Sequence, residues 1–400
     1  MKTILALIAI ALFAYLGSTL FRLRRSPVWL RALLSSGLGF FGVGVALGPL
    51  AIGVLDQQII AGLDVLVDLG VGWVGLIFGL QFHFKDLKRL PGRHYLGALV
   101  QSVFTLLLGG LGLWLVLGEF SLRGPVWLLV FVLAAAMSTT SPTAATHVFH
   151  DLHPRGPVSD ALRIMASVDA VPAVLMAGII LCFAPAPIHP LRYGPFLDGL
   201  FWLGVAVGLA LALGALFHLL TLYRYTDNQL LVIVLGVVVF CGGAADYLVL
   251  SPLFVNFLVG VVVANRSPVR FRMLKALASV EKPIYLILLT LAGALWHPPL
   301  TFVWLAVGAL VFLRLAGKLL GGYLAGLVAG LRKPSLLGLG LLPHGGMAMA
   351  IALSFRSLVA GELGDLMMTA VVCSMLLSTL LGPMCLRRLL LSQGEARLRA

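Results

Sequence analysis

Three ionisable side chains stand deep inside long apolar runs, where a charge is expensive and its presence asks for a use. Asp169 lies in "RIMASVDAVPAVLMAGII", about eleven residues into a run that starts near Val158, or roughly 16 Å at 1.5 Å per residue. Arg314 and Lys318 lie in "FVWLAVGALVFLRLAGKLLGGYLAGL", and their spacing of four puts both on one helix face. At least one of the two bases needs a buried acidic partner or a watery cavity, and Asp169 is the obvious candidate. A third anomaly is "AAAMSTTSPTAATHVFHDL", where Ser138, Thr139, Thr140, Ser141 and Thr143 crowd around Pro142. Hydroxyls of Thr139, Thr140 and Ser141 are neutral oxygen ligands suited to a hard monovalent cation. Asp169 supplies a charge that holds either a cation or a proton. One site with two competing occupants is the minimum for antiport.

The elements that must position these groups follow from composition. The chain has 400 residues, 60% of them hydrophobic and 11% charged, with a mean hydropathy of +1.07. A soluble exterior needs far more charge than this. Apolar runs of about 18–25 residues recur from end to end, each long enough to cross about 30 Å of hydrocarbon. About thirteen are expected, near 3–20, 32–54, 62–84, 96–117, 126–150, 158–182, 196–219, 228–248, 250–265, 283–297, 302–328, 335–357 and 365–386. They leave no room for a soluble domain, so residues 1–400 read as one all-α polytopic transmembrane domain. The net charge of +13 would suggest nucleic acid in a soluble protein. Here it clusters in alternate loops: Arg22, Arg24 and Arg25; Lys85, Lys88, Arg89 and Arg93; Arg155 and Arg163; Arg266 to Lys282; Arg332 and Lys333; and Arg387 to Arg399. Loops 55–61, 246–252 and 297–301 carry no Lys or Arg. The positive-inside rule then gives an outside N-terminus and a cytoplasmic C-terminus, in agreement with an odd number of spans. The partner implied is a lipid bilayer, the bacterial plasma membrane being the expected one, and not nucleic acid. The four cysteines all sit in apolar runs and indicate neither a disulfide framework nor a zinc motif.

The hydroxyl cluster has a counterpart. In "GLLPHGGMAMAIALSF", Pro343, His344, Gly345 and Gly346 interrupt the twelfth run much as Thr140 to Thr143 interrupt the fifth. The interruptions occupy the fifth of spans one to six and the fifth of spans eight to thirteen. Asp169 stands one span after the first, and Arg314 and Lys318 one span before the second. Two six-span repeats are therefore expected, about 1–185 and about 226–390, joined by a linking helix at about 196–219. The odd linking span makes the repeats inverted. Broken helices at matching positions of inverted repeats point to a secondary transporter's binding site, because unwound backbone is tolerated in a membrane only where it lines a cavity.

These motifs together resemble the monovalent cation/proton antiporter superfamily. "GVALGPLAIGVL" (Gly44 to Leu55) is similar to its early Leu-Gly-Pro span, and "GLIFGLQFHFKDLKR" (Gly75 to Arg89) to its Phe-x-x-Gly-Leu-Glu span. "STTSPTAA" resembles the unwound Thr-Asp-Pro helix, and "ASVDAVPAVL" the helix with the paired ion-site acids. "YLVLSPLFVNFLVGVVVAN" (Tyr247 to Asn265), "RLAGKLLGG" (Arg314 to Gly322) and "PHGGMAMAIAL" are similar to three later family helices, in order. The resemblance implies a thirteen-span fold with two crossed, broken helices, a core domain and a dimerisation domain, and hence a homodimer. It implies exchange of protons for Na⁺ or K⁺ by alternating access, with no enzymatic activity, no cofactor and no metal beyond the transported cation. Four positions depart from the pattern: Val168 in place of the first ion-site acid or Asn, Ser141 for an Asp, Gln81 for a Glu and His344 for an Arg. Together they leave the expected site with one carboxylate.

Other readings are weaker. An organic-anion symporter of the bile-acid type shares a related broken-helix fold, but its cavity calls for more polar and fewer buried basic groups than Arg314 and Lys318 supply. A non-transporting membrane sensor is a reading of a different class. A channel calls for rings of like side chains, and none is apparent. Ser141 and His344 can be drawn as nucleophile and base, but hydroxyls in membrane helices more often bond backbone carbonyls. His147, His150 and Asp151 have a metal-compatible spacing, yet they fall at a helix end expected to be solvated.

Overall fold

The structure is a computed structural model. It describes residues 37–396 apart from 56–58, 60–61, 88–91, 119–123, 186–187, 190–192, 224 and 299–302. The expected first span near 3–20 lies outside the described residues, as do Arg22, Arg24, Arg25, Lys88, Arg89, Arg397 and Arg399. Every regular element among the described residues is helical. In chain order these are α1 (Leu38–Leu47), α2 (Asp64–Gln81), α3 (Phe84–Leu87), α4 (Gly92–Leu117), α5 (Val126–Ser138) and α6 (Pro142–Leu152). Next come α7 (Pro157–Val168), α8 (Ala170–Cys182), α9 (Pro195–Leu220), α10 (Asp227–Tyr247) and α11 (Pro252–Arg266). The rest are α12 (Arg270–Leu295), α13 (Val303–Val328), α14 (Leu337–Gly340), α15 (Gly346–Leu358) and α16 (Glu362–Ser392). Among the described residues eight helices are long and apolar enough to cross a membrane, with α7 and α8 counted as one run through Asp169. The protein is an integral membrane protein.

The helix starts are written in the local chemistry. Pro157, Pro195 and Pro252 each open a helix, where a missing N–H costs nothing. Thr226 and Gln229 cap each other's backbone at the head of α10. One boundary differs from the sequence expectation. A tenth span was expected from about 283, but α12 begins at Arg270, so Arg270, Arg272, Lys275 and Lys282 ride on a helix. Hydropathy marks where a helix enters hydrocarbon, and Arg and Lys are good helix formers that extend it into water.

The chain forms two compact units. One comprises Met1–Leu87, Gly178–His297 and Leu353–Val359. In it α2 and α11 cross at glycine: a Cβ on Gly79 would lie 2.9 Å from the Gly260 Cα, so neither position accepts a side chain. Beyond that crossing Asn265 donates to the Phe82 carbonyl at 3.0 Å and accepts from the Phe84 amide at 2.9 Å. Arg270 pairs with Asp86, whose Oδ2 also lies 3.2 Å from His83 Nδ1. The Arg270 hydrogen bond holds the Asp86 carboxyl below the usual carboxylate range.

The second unit comprises Lys88–Ala177, Pro298–Ala352 and Ala360–Ala400, and contains every residue singled out as a candidate site residue. Its apolar core packs Leu162, Met165 and Val168 of α7 against Ala98, Ala325, Leu337, Leu341, Leu386 and Leu389. α13 lies close to α4: a Cβ on Gly317 would meet Thr105, and one on Gly321 would meet the Gln101 carbonyl, Thr105 and Phe104.

Candidate ion-binding site

The first interruption is built by side chains that turn back on their own helix. Ser138 Oγ donates to the Ala135 carbonyl and Thr139 Oγ1 to the Ala136 carbonyl, each at 2.8 Å. Thr139 is extended, at φ −74° and ψ 149°. Pro142 offers no N–H and disfavours helical geometry at Ser141, so α5 stops at Ser138 and α6 starts at Pro142 itself. The unwound residues are thus Thr139, Thr140 and Ser141, and Pro142 belongs to the helix that follows. The second interruption runs from Leu341 to Gly345 between α14 and α15; Gly346 is the first residue of α15 and not part of the break.

The two interruptions meet. The Ser141 amide donates to the Pro343 carbonyl at 2.8 Å, and Thr140 Oγ1 donates to the Leu341 carbonyl at 3.2 Å. His344 Nε2 lies 3.1 Å from the Ala136 carbonyl, a partner that only accepts, so this ring nitrogen carries a proton. A Cβ on Gly345 would lie 2.6 Å from Ser141 Oγ, and only glycine allows this approach. The hydroxyl cluster and Pro343–Gly346, about 200 positions apart in sequence, form one polar layer.

Both bases enter that layer from α13. Arg314 is 4% exposed and Lys318 fully buried. Lys318 Nζ donates to the Ser138 carbonyl, to Thr140 Oγ1 at 2.8 Å and to Asp169 Oδ2 at 3.2 Å. An ammonium has three donors, and these three oxygens use them all. Arg314 does something else. Its guanidinium donates to the Leu342 carbonyl at 3.0 Å, the Thr139 carbonyl at 3.3 Å and Ser378 Oγ at 3.2 Å. It therefore ties the two interruptions together, while the carboxylate contact falls to Lys318.

Asp169 sits at the joint of α7 and α8, with no exposure to solvent. Its amide still bonds the Met165 carbonyl at 3.0 Å, so the helix runs on through the joint. The Thr140 hydroxyl and amide face its carboxylate. Oδ2 has Lys318, whereas Oδ1 makes no full hydrogen bond. A buried carboxylate oxygen short of a full hydrogen bond is costly and is ordinarily matched by a proton, a cation or water.

Thr139, Thr140, Ser141, Asp169, Arg314, Lys318, His344 and Gly345 are thus brought into one region, with Pro142 and Gly346 at the helix starts that flank it. Nothing in the residue pattern marks the carbonyls of Ser138, Leu341 and Leu342 as partners, since an unwound carbonyl has no residue signature. Ser378 was hidden in the apolar "CSMLLSTLLG".

No curated protein sequence matches the chain. Solved structures do. The structure of the sodium proton antiporter MjNhaP1 from Methanocaldococcus jannaschii at pH 8 superposes with a TM-score of 0.68 at 16% identity, covering 98% of this chain and 99% of that one. An electron-microscopy structure of the same antiporter matches with a TM-score of 0.68 at 15% identity, covering 100% of each chain. At such identity the likeness is one of fold. The description "sodium/hydrogen exchanger, transmembrane" fits residues 8–391, nearly the whole length, and the chain belongs to that family of transporters.

Proposed function

We propose that this protein exchanges protons for monovalent cations, Na⁺ or K⁺, by alternating access, with a proton and a cation competing for Asp169. Family membership supports cation/proton exchange. The observation that carries the mechanism is the Asp169 carboxylate, with Oδ2 on Lys318 and Oδ1 without a full hydrogen bond. With the site unloaded, Lys318 neutralises Asp169. Arrival of a cation or a proton at the carboxylate weakens that pair, and Lys318 keeps the Ser138 carbonyl and Thr140 Oγ1 as partners. The ammonium therefore stays solvated by protein oxygens in both states, which lowers the cost of exchange. Thr139, Thr140 and Ser141 supply neutral oxygens, and Arg314 holds the two interruptions in register.

The reading includes a thirteen-span fold of two inverted six-span repeats, about 1–185 and about 226–390. It includes a homodimer in the bacterial plasma membrane, with the N-terminus outside and the C-terminus in the cytoplasm. The matching places of the two interruptions and the alternation of basic loops support it. The test is proton flux from proteoliposomes on addition of Na⁺, K⁺ and Li⁺ in turn. Cation-driven flux in the parent and its loss in a folded Asp169→Asn variant are expected. Flux that no monovalent cation elicits would reject exchange, and full flux in the Asn variant would reject Asp169 as the carrier.

A further inference from the structure

The helix that carries Asp169 at one end is capped at its other end by a residue more than 200 positions away. α7 provides no side-chain cap of its own: its N-cap is Gly156 and its first residue Pro157. The amides of Val158 and Ser159 therefore need an external acceptor. Glu395 supplies it, with Oε1 2.8 Å from the Val158 nitrogen and Oε2 2.7 Å from the Ser159 nitrogen. The Glu395 main-chain carbonyl also accepts from the Arg155 amide at 3.1 Å.

The chain delivers Glu395 there by a defined turn. After α16, Gly394 is left-handed at φ 71°, its amide bonds the Leu391 carbonyl, and the Glu395 amide bonds the Leu390 carbonyl, each at 3.1 Å. This is a Schellman stop, which only glycine makes without strain at that position. The next residue, Ala396, is buried in the same core as Leu162 and Met165 of α7. Contact is close enough that a Cβ on Gly156 would overlap the Glu395 carboxyl group. A carboxylate at a helix N-terminus combines charge-assisted hydrogen bonds with the favourable end of the helix dipole.

We propose that Glu395 is a positioning residue for exchange: it fixes the far end of α7, and through that helix the place of Asp169 against Lys318. α7 is a single rod of about 18 Å whose hydrogen bonding continues through Asp169, so freeing one end displaces the other. The inference rests on the reading of Asp169 as the exchanging carboxylate.

The experiment compares the parent, Glu395→Gln, Glu395→Ala, Gly156→Ala and the double variant Gly156→Ala/Glu395→Ala, with Asp169→Asn as control. Each is purified and assayed in proteoliposomes for the apparent KM for sodium, the pH midpoint and the maximal rate per folded protein. Loss of a cap of ordinary strength corresponds to about fivefold in an equilibrium constant. Glu395→Ala is expected to raise the sodium KM about that much, with Glu395→Gln intermediate because its amide oxygen still accepts one bond. Gly156→Ala should also evict the carboxylate, on a backbone at φ 157° that itself disfavours a side chain, so the double variant should be no worse than Gly156→Ala alone. A lower melting temperature with unchanged KM and pH midpoint in Glu395→Ala and Glu395→Gln would reduce Glu395 to a structural cap and overturn the proposal. Exchange surviving in Asp169→Asn would instead sink the underlying reading, so the two failures are distinct.

Discussion

Replacing Lys318 with methionine removes the charge while keeping much of the volume, and it isolates what the buried pair contributes. In the parent, Lys318 and Asp169 are both fully buried with Nζ and Oδ2 3.2 Å apart. Without the ammonium, Asp169 has two routes. Keeping an unpaired buried charge costs about 3–5 kcal/mol. Taking a proton from solution, starting from an ordinary carboxyl of about 3.9, costs about 4 kcal/mol at pH 7 and about 1.5 kcal/mol at pH 5. The cheaper route governs, so the penalty should be about 3–5 kcal/mol at pH 8, where protonation no longer helps, and about 1.5 kcal/mol at pH 5. The sign follows from proton counting. On the second route the folded variant holds a proton that the unfolded chain lacks, so its stability rises as pH falls. Thermal unfolding in detergent, followed by tryptophan fluorescence from pH 5 to 8, reads this directly, at about 2 °C per kcal/mol for a protein of this size. The double variant Lys318→Met/Asp169→Asn leaves neither charge unpaired and should recover most of the loss. A Lys318→Met protein that melts with the parent at pH 8, or whose deficit is the same at pH 5, would refute the pairing argument.

Further outcomes follow from the same layer. Thr140→Ala should raise the apparent KM for the cation and also lower the melting temperature, because the hydroxyl both receives Lys318 and donates to the Leu341 carbonyl; Ser141→Ala should raise the KM, and an effect of either on maximal rate alone would make the break a moving part and not a ligand. Gly345→Ala should cost about 1–3 kcal/mol and slow exchange by driving a methyl into Ser141, with partial rescue by Ser141→Gly, measured as unfolding and flux together. Exchange should be one proton for one cation and move no net charge, since Asp169 is the carboxylate of the layer and Lys318 keeps the Ser138 carbonyl and Thr140 Oγ1 as partners when that carboxylate is loaded. Uphill cation uptake driven by an imposed potential, with no pH gradient, would count against that stoichiometry.

What could be seen in the sequence was what violates a local rule. Asp169 stood out because a carboxylate in an apolar run is dear, and the membrane-length helices stood out because hydropathy is a property of each segment alone. The interruptions were visible through Pro142 and Pro343, but their bounds were displaced. A proline opens a helix more readily than it sits inside a break, and so Pro142 heads α6. The roles of Arg314 and Lys318 could not be separated, because a spacing of four puts both on one face and says nothing of what each meets. Which base meets Asp169 depends on neighbours from other helices, the Ser138 carbonyl and Thr140 Oγ1 beside Lys318 and the Thr139 and Leu342 carbonyls beside Arg314. Glu395 was invisible for a related reason. A carboxylate capping a helix more than 200 residues away leaves no periodicity, no spacing and no composition to detect.

Arg314 and Lys318 divide the oxygens of the two interruptions between them. Interrupted helices are usually read as presenting bare carbonyls to a cation, yet here Arg314 takes those of Thr139 and Leu342, and Lys318 takes that of Ser138. The fixed positive charges already do for the half-helix ends what a bound cation would do, offsetting the partial negative charge of their carbonyls. The layer is therefore held together in the absence of cargo. In the proposed cycle a cation competes with Lys318 for Asp169, and the backbone of both breaks need not be rebuilt at each turnover. On this argument Arg314 sets the stability of the layer and Lys318 sets the affinity of the site. Arg314→Met should accordingly lower the melting temperature at every pH from 5 to 8, because the carbonyls it leaves behind do not titrate. Lys318→Met should show the pH-dependent deficit derived above. Identical pH dependence in the two variants would mean that the bases share one role, and the division between scaffold and switch would fall.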